Sequence, residues 1–249
     1  MIIVILLIFL FETINCYNII NIGSTGLLMP YSIGILGYIK KYKVIENCKF
    51  IGTSGGAWCS ILYNLEKDLS NHDKIWRILL ENTNEIIYDN MHECQIMAKN
   101  NLIERYKYIN FNDAIVKKKS IGINVVNVNY IYPQKKLITN FTDIEDLINI
   151  CYASSYIPLI SGKKLYYKYK KNRYVDGGIF DSTQIIDDPN ILNIHYSMWG
   201  RNFEKYNGVS PISGTKINKK LSYELYNYGW EDTEKNIKSI LLNNKNIIE

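Results

Sequence analysis

Short apolar runs that end at glycine alternate with stretches of helical spacing through the first part of the chain. Asn18-Ile19-Ile20-Asn21-Ile22 reads as a buried strand running into the turn Gly23-Ser24-Thr25-Gly26. A helix is predicted from Pro30 to about Lys43, with proline in the first turn, where no N–H is needed. Lys49-Phe50-Ile51 is a second short strand cut off at Gly52, and Ala57 to Leu69 returns to helical spacing through Ile61, Leu62 and Leu65. Strand, helix, strand, helix within about fifty residues predicts a parallel α/β sheet.

Residues 72–107 read as largely helical, with Ile75, Ile78, Leu79 and Ile86 on one face. Ile121 to Tyr130 alternates apolar and polar with a period of two, and the run after Pro133-Gln134 is expected to pair with it. Thr142-Asp143-Ile144-Glu145 fits a capping box that opens a helix toward Cys151. Tyr166 to Val175 and Ile191 to Tyr196 are β-prone, and Asn218 onward reads as helix. No repeat, heptad array or long Pro/Gly linker interrupts the pattern, so a single domain is expected.

The N-terminus differs. Residues 2–11, IIVILLIFLF, are an unbroken apolar run. As a helix that run spans about 15 Å, too short for a hydrocarbon core of about 30 Å. The length fits the hydrophobic region of a signal peptide or a membrane anchor. The chain is therefore divided into a leader, 1–16, and one domain, 17–249. This places the protein in the secretory pathway or at a membrane; it is cytoplasmic if the run is instead part of the fold. The sequon Asn140-Phe141-Thr142 fits the secretory alternative.

The 249 residues are 47% hydrophobic and 21% charged, enough apolar material for a sizeable core and unlike a disordered or collagen-like chain. Lys and Arg number 29 against 24 Asp and Glu, a net +5 without a concentrated basic run. That is not the concentrated basic run of a dedicated nucleic-acid binder; an anionic membrane surface would suit the charge equally well, and neither partner follows from charge alone. The five cysteines are far apart and form no C-x-x-C pair, and the three histidines form no H-E-x-x-H. Neither a zinc ribbon nor a histidine-rich metal site is expected, and no cofactor.

Chemistry enters at Gly52-Thr53-Ser54-Gly55-Gly56, a G-x-S-x-G between a predicted strand and a predicted helix. Such a turn exposes its serine at a helix N-terminus, whose dipole favours an oxyanion. The same glycine-rich turn also suits a phosphate, or nothing. A serine nucleophile needs a base. Asp176, in Tyr174-Val175-Asp176-Gly177-Gly178 at the end of a β-prone run, can point into the crevice that holds the serine, and burial would raise its pKa. A triad of Ser54 with Asp176 or Asp181 and His195 is the alternative. His72 and His92 fall in the helical region and read as packing or surface residues. No G-x-G-x-x-G or Walker A sequence follows the first strand, which argues against a nucleotide-binding domain.

Together these segments resemble the patatin-like phospholipase family. GTSGGAW at 52–58 resembles its serine elbow and YVDGG at 174–178 its D-G-G motif. Ala153-Ser154-Ser155-Tyr156-Ile157-Pro158 is similar to its A-S-x-x-x-P segment. Residues 23–38, GSTGLLMPYSIGILGY, resemble its glycine-rich oxyanion loop and following helix. Tyr228-Gly229-Trp230-Glu231-Asp232-Thr233 is similar to a helix start common in the family. The resemblance implies a three-layer α/β sandwich with a mostly parallel sheet. It also implies a Ser54–Asp176 dyad without histidine or metal, and an oxyanion hole of Gly26, Leu27 and Gly55. The elbow and turn glycines are Gly52, Gly56, Gly177 and Gly178. The implied reaction is hydrolysis of acyl esters of phospholipids or neutral lipids, at a membrane surface. One segment departs from the family: Ser24-Thr25-Gly26-Leu27-Leu28-Met29 stands for G-G-G-x-[RK]-G, keeping only the third glycine. That departure motivates a further alternative, a catalytically silent lipid-binding member.

Overall fold

The computed structural model describes residues 17–45, 47–81, 83–87, 89–113, 120–180, 185–203 and 217–242. The expected leader, 1–16, and Asp181 lie outside these residues. The elements in order are β1 (Ile19–Ile22), a 3-10 turn (Gly26–Leu28), α1 (Met29–Lys41), β2 (Lys49–Thr53), α2 (Gly55–Leu65), α3 (His72–Leu80), β3 (Glu85–Ile86) and α4 (Met91–Tyr106). There follow β4 (Ile121–Asn127), β5 (Gln134–Ile138), α5 (Ile144–Ser154), β6 (Tyr167–Tyr169), β7 (Asn172–Val175), β8 (Ile191–Ile194), β9 (Ile217–Asn218) and α6 (Lys219–Leu242).

The fold is the expected α/β arrangement, a central sheet flanked by helices. Strands β8, β1, β2 and β4 are parallel neighbours. Because helices cover both faces, β1 is buried on both: Ile20, Asn21 and Ile22 are at most 1% exposed. The one polar member, Asn21, donates from Nδ2 to Asn193 Oδ1 of β8 at 2.8 Å. Helix α2 is buried along its first two turns, through Ala57, Trp58, Cys59, Ile61 and Leu62. Each large apolar side chain so buried contributes about 1.5–3 kcal/mol.

The register around β4 positions the site. Ile123 and Asn124 pair with β2 on one edge and β5 on the other. Val126 pairs with Lys135 of β5 and with Val175 of β7. Since β5 occupies one edge throughout, β2 and β7 share the other. They run toward each other, and both leave the sheet beside Val125.

Several elements depart from the sequence reading. The 72–107 helix is two helices, interrupted where Glu81 takes a φ of 42° and Trp76 Nε1 donates to Thr83 O at 2.9 Å. Helix α2 begins at Gly55 and stops at Leu65, because Glu66 turns extended to reach basic partners on α3 and α4. The N-cap of α5 is Asp143, not Thr142: its carboxylate accepts from Asp146 N at 2.8 Å, while Thr142 Oγ1 donates to the side chain of Asp146. Tyr228 to Thr233 lies inside α6, where Asp232 accepts from Tyr31 OH at 2.9 Å and holds α6 against α1. Cys48, Cys59, Cys94 and Cys151 are free thiols. No described helix is long and apolar enough to cross a membrane.

Candidate active site

Strand β2 passes into α2 through Ser54, whose φ of 53° and ψ of -122° lie where side-chain-bearing residues are strained. Such a conformation costs about 1–3 kcal/mol and persists only when its surroundings hold it. Here Ser54 N donates to Ser154 Oγ at 2.8 Å, and Ala57 N donates to Ser54 O at 2.9 Å. Close approach of helix to sheet depends on Gly56, where a Cβ would stand 2.3 Å from Ile22 O. Ser54 is 7% exposed.

Asp176 is the first residue past β7. Its N–H donates to Tyr156 O at 2.8 Å and that of Gly177 to Ser154 O at 2.9 Å, which ties the turn to the end of α5. Ser54 Oγ donates to Asp176 Oδ2 at 2.6 Å, and Gly178 N donates to Oδ1 at 2.7 Å. The other serine in this cluster is structural: Ser154 Oγ donates to Asn124 O at 2.6 Å while accepting from Ser54 N. Burial raises the Asp176 carboxyl from its ordinary 3.8 to about 6, against the opposing pull of the Ser54 and Gly178 bonds. The group therefore changes charge near neutrality. At Gly178 a Cβ would fall 1.8 Å from Ser24 Oγ, so the D-G-G turn packs directly on the altered loop.

In that loop only Gly26 takes a left-handed conformation, φ 50°; Thr25, at φ -104°, is ordinary backbone that any residue adopts. The lost glycines therefore sit where a side chain imposes no backbone strain. Gly26 and Leu27 open the 3-10 turn and Gly55 opens α2, so their amides stand at helix starts, where no intrahelical acceptor reaches them. A Cβ on Gly55 would lie 3.3 Å from Gly26 N, which measures how close the two turns come.

Gly26, Leu27, Ser54 and Gly55 form one end of a mostly apolar cavity of about 130 Å³. Its walls include Trp58, Ile75, Trp76, Leu79 and Leu80. Trp58 Nε1 donates to Ser155 Oγ at 3.0 Å. Gln95 Nε2 donates to Ser155 O at 3.0 Å, which leaves its Oε1 buried without a hydrogen-bond partner among the described residues. At the wall formed by α3 and α6, His72 Nε2 meets Ser222 Oγ at 2.7 Å, and burial lowers the pKa of the ring.

The histidine of the alternative triad does not join Ser54 and Asp176. His195 stands just past β8, with Nδ1 accepting from Ser197 Oγ at 2.9 Å, and it bonds neither Ser54 nor Asp176. Among the described residues no three His, Cys, Asp or Glu are grouped to hold a metal ion. His72 packs among Trp76, Tyr223 and Tyr226, as expected of a packing residue. Sequence reasoning missed Ser154, Asn124 and Gln95. The A-S-x-x-x-P likeness marked Ser154 without a role, because its partners, Ser54 and Asn124, are 100 and 30 positions away.

The strand-elbow-helix unit and the Asp-Gly-Gly turn both fall within one family match. The family model for patatin-like phospholipases matches residues 22–187. Human patatin-like phospholipase domain-containing protein 4 is 38% identical over 53 residues, 21% of this chain and 21% of that relative, so the match spans about a fifth of the relative's length. The family match alone takes in more than half of the chain, from the last residue of β1 to beyond the Asp176 turn, and the chain belongs to the patatin-like phospholipase family.

Proposed function

We propose that this protein is a serine hydrolase of lipid acyl esters, with Ser54 as nucleophile and Asp176 as its base. The observation that carries this reading is the 2.6 Å hydrogen bond from Ser54 Oγ to Asp176 Oδ2, made at a strained elbow that opens on an apolar cavity. A serine already donating to a carboxylate loses its proton along that bond as its oxygen attacks. A base with a pKa near 6 is ionised at pH 7 yet basic enough to hold the proton.

The acyl chain of the ester lies along the apolar walls, which brings its carbonyl to the end lined by Ser54. Ser54 Oγ attacks the carbonyl carbon while Asp176 takes the hydroxyl proton. The oxyanion accepts hydrogen bonds from the amides of Gly26, Leu27 and Gly55, each such donor contributing about 2.7–4 kcal/mol. Asp176 returns the proton to the departing alcohol and leaves an acyl group on Ser54. Water then gives a proton to Asp176 as it attacks the acyl-enzyme, and Ser54 recovers its proton as the fatty acid leaves.

The altered loop favours a second reading, a family member that binds lipid without turning it over. The buried hydroxyls of Ser24 and Thr25 lack partners among the described residues and pack beside Gly178 and Gly55. A fluorophosphonate probe separates the two. Labelling of the wild type, lost in Ser54→Ala and accompanied by fatty-acid release from phospholipid or triacylglycerol, is expected for the hydrolase. Absence of labelling and release in folded protein selects the binder.

A further inference from the structure

We infer that the turns of the β4–β5 and β6–β7 hairpins form a docking surface for an anionic lipid bilayer. Strand β4 pairs with Thr53, the residue before the nucleophile, at Asn124 and continues to Asn127 before the chain turns. At about 3.3 Å per residue, the apex of that turn stands about 10 Å or more beyond the level of the nucleophile, on the side of the sheet where β2 ends at Thr53. The apex is Tyr130, Ile131 and Tyr132, which are 56%, 93% and 81% exposed. Consecutive large apolar side chains in water at the tip of a hairpin are unfavourable unless something covers them.

The second hairpin stands beside the first. Val128 N donates to Arg173 O at 2.9 Å, Arg173 N to Asn129 Oδ1 at 2.8 Å, and Asn129 Nδ2 to Asn172 Oδ1 at 3.0 Å. The two turns therefore present one surface, and its charge is basic. Lys135, Lys136, Lys168, Lys170, Lys171 and Arg173 are exposed on these hairpins. Among the described residues, Asp146 pairs with Lys170 at 2.9 Å, and Asp143 and Glu145 are exposed at the start of α5. Cations also lie over aromatic rings: Lys136 Nζ is 5.6 Å from the Tyr130 ring and Arg173 Cζ 4.9 Å from that of Tyr166.

An apolar apex flanked by lysines and tyrosines fits a bilayer better than a protein partner. Lysine is depleted in the buried centre of protein interfaces. At a membrane its stem lies along the acyl boundary while its charge meets lipid phosphates, and tyrosine prefers the same depth. Leu159 and Phe180, on segments that leave the ends of α5 and β7, are also exposed, at 64% and 60%.

Co-sedimentation with vesicles tests this without reference to catalysis. The protein is expected to bind phosphatidylcholine vesicles containing about a third phosphatidylglycerol well above pure phosphatidylcholine, at about 0.1 M salt. Ile131→Asp and the pair Lys136→Glu with Lys171→Glu should each weaken that binding about tenfold or more. Lys67→Glu, beyond the far end of α2, should not. Hydrolysis of a soluble short-chain ester should stay unchanged in all three, which separates failure of docking from failure of the hydrolase reading. Equal binding to both vesicles, no loss in Ile131→Asp, or a dimer of the wild type that Ile131→Asp dissolves would each overturn the proposal.

Discussion

Two buried carboxylates in this protein are equally hidden from water and oppositely tuned. Asp176 is 6% exposed and Glu66 is 4% exposed. Burial pushes both pKa values up. At Glu66, hydrogen bonds from Arg105, Tyr106 and Lys74 outweigh that push and hold the group at about 2. At Asp176 only Ser54 and Gly178 N–H oppose it, and the carboxyl settles near 6. Glu66 joins α2 to α3 and α4 through Lys74 at 2.9 Å and Arg105 at 2.5 Å. One acid is compensated and structural. The other has no cation beside it among the described residues, so its carboxyl titrates near 6 at the expense of stability.

The largest expected effect breaks the pair at the site. Asp176→Asn should lower ester turnover by about 10³-fold, within the range of general-base losses, while raising stability. With its folded pKa above the unfolded one, Asp176 contributes most favourably below about pH 3.8, and that contribution is lost as pH rises through about 6. At pH 8 the buried charge therefore costs about 3 kcal/mol, and calorimetry should show the Asn variant melting higher than wild type. A lower melting point together with lost activity would make Asp176 a structural acid like Glu66.

Glu66→Gln should do the reverse. Its folded pKa lies below the unfolded one, so its contribution is present above about pH 4.5 and lost as pH falls through about 2. Removing the charge should destabilise by about 3 kcal/mol at pH 7, a fall of about 10 °C in Tm. Ester turnover at a temperature where the variant stays folded should change little.

The pH profile sharpens the contrast without mutation. The acid limb of kcat/KM should fall with an apparent pKa near 6, tenfold per pH unit below it. A limb near 4 would mean that Asp176 is solvated in the free enzyme. A smaller effect is expected from Ser154→Ala, which removes the acceptor for Ser54 N; about tenfold in turnover, with little change in KM, would mark it as a positioning residue. His195→Ala should leave kcat within about twofold, since its imidazole reaches neither member of the pair.

Much of this was legible in the chain. The alternation after Ile121 located β4, and Gly52-Thr53-Ser54-Gly55-Gly56 located the elbow, because backbone periodicity and glycine sterics act over a few residues. Asp143 displaced Thr142 as the α5 cap by one position, within the resolution of such local signals. Ser154 was visible only as part of a likeness, and Gln95 carried no signal. What each does depends on a partner that no local pattern names.

The linear order of residues determined the strand-turn-helix units and the two glycine-bracketed turns, since those depend on dihedral preference and hydrophobic period. Tertiary structure decided that β2 and β7 share one edge of β4 and point at each other, so that 122 positions of separation collapse to a hydrogen bond. It also decided which buried acid met cations and which did not. The reason is physical: a carboxyl's pKa answers to the dielectric and charges within a few ångströms, and those neighbours are assigned by packing.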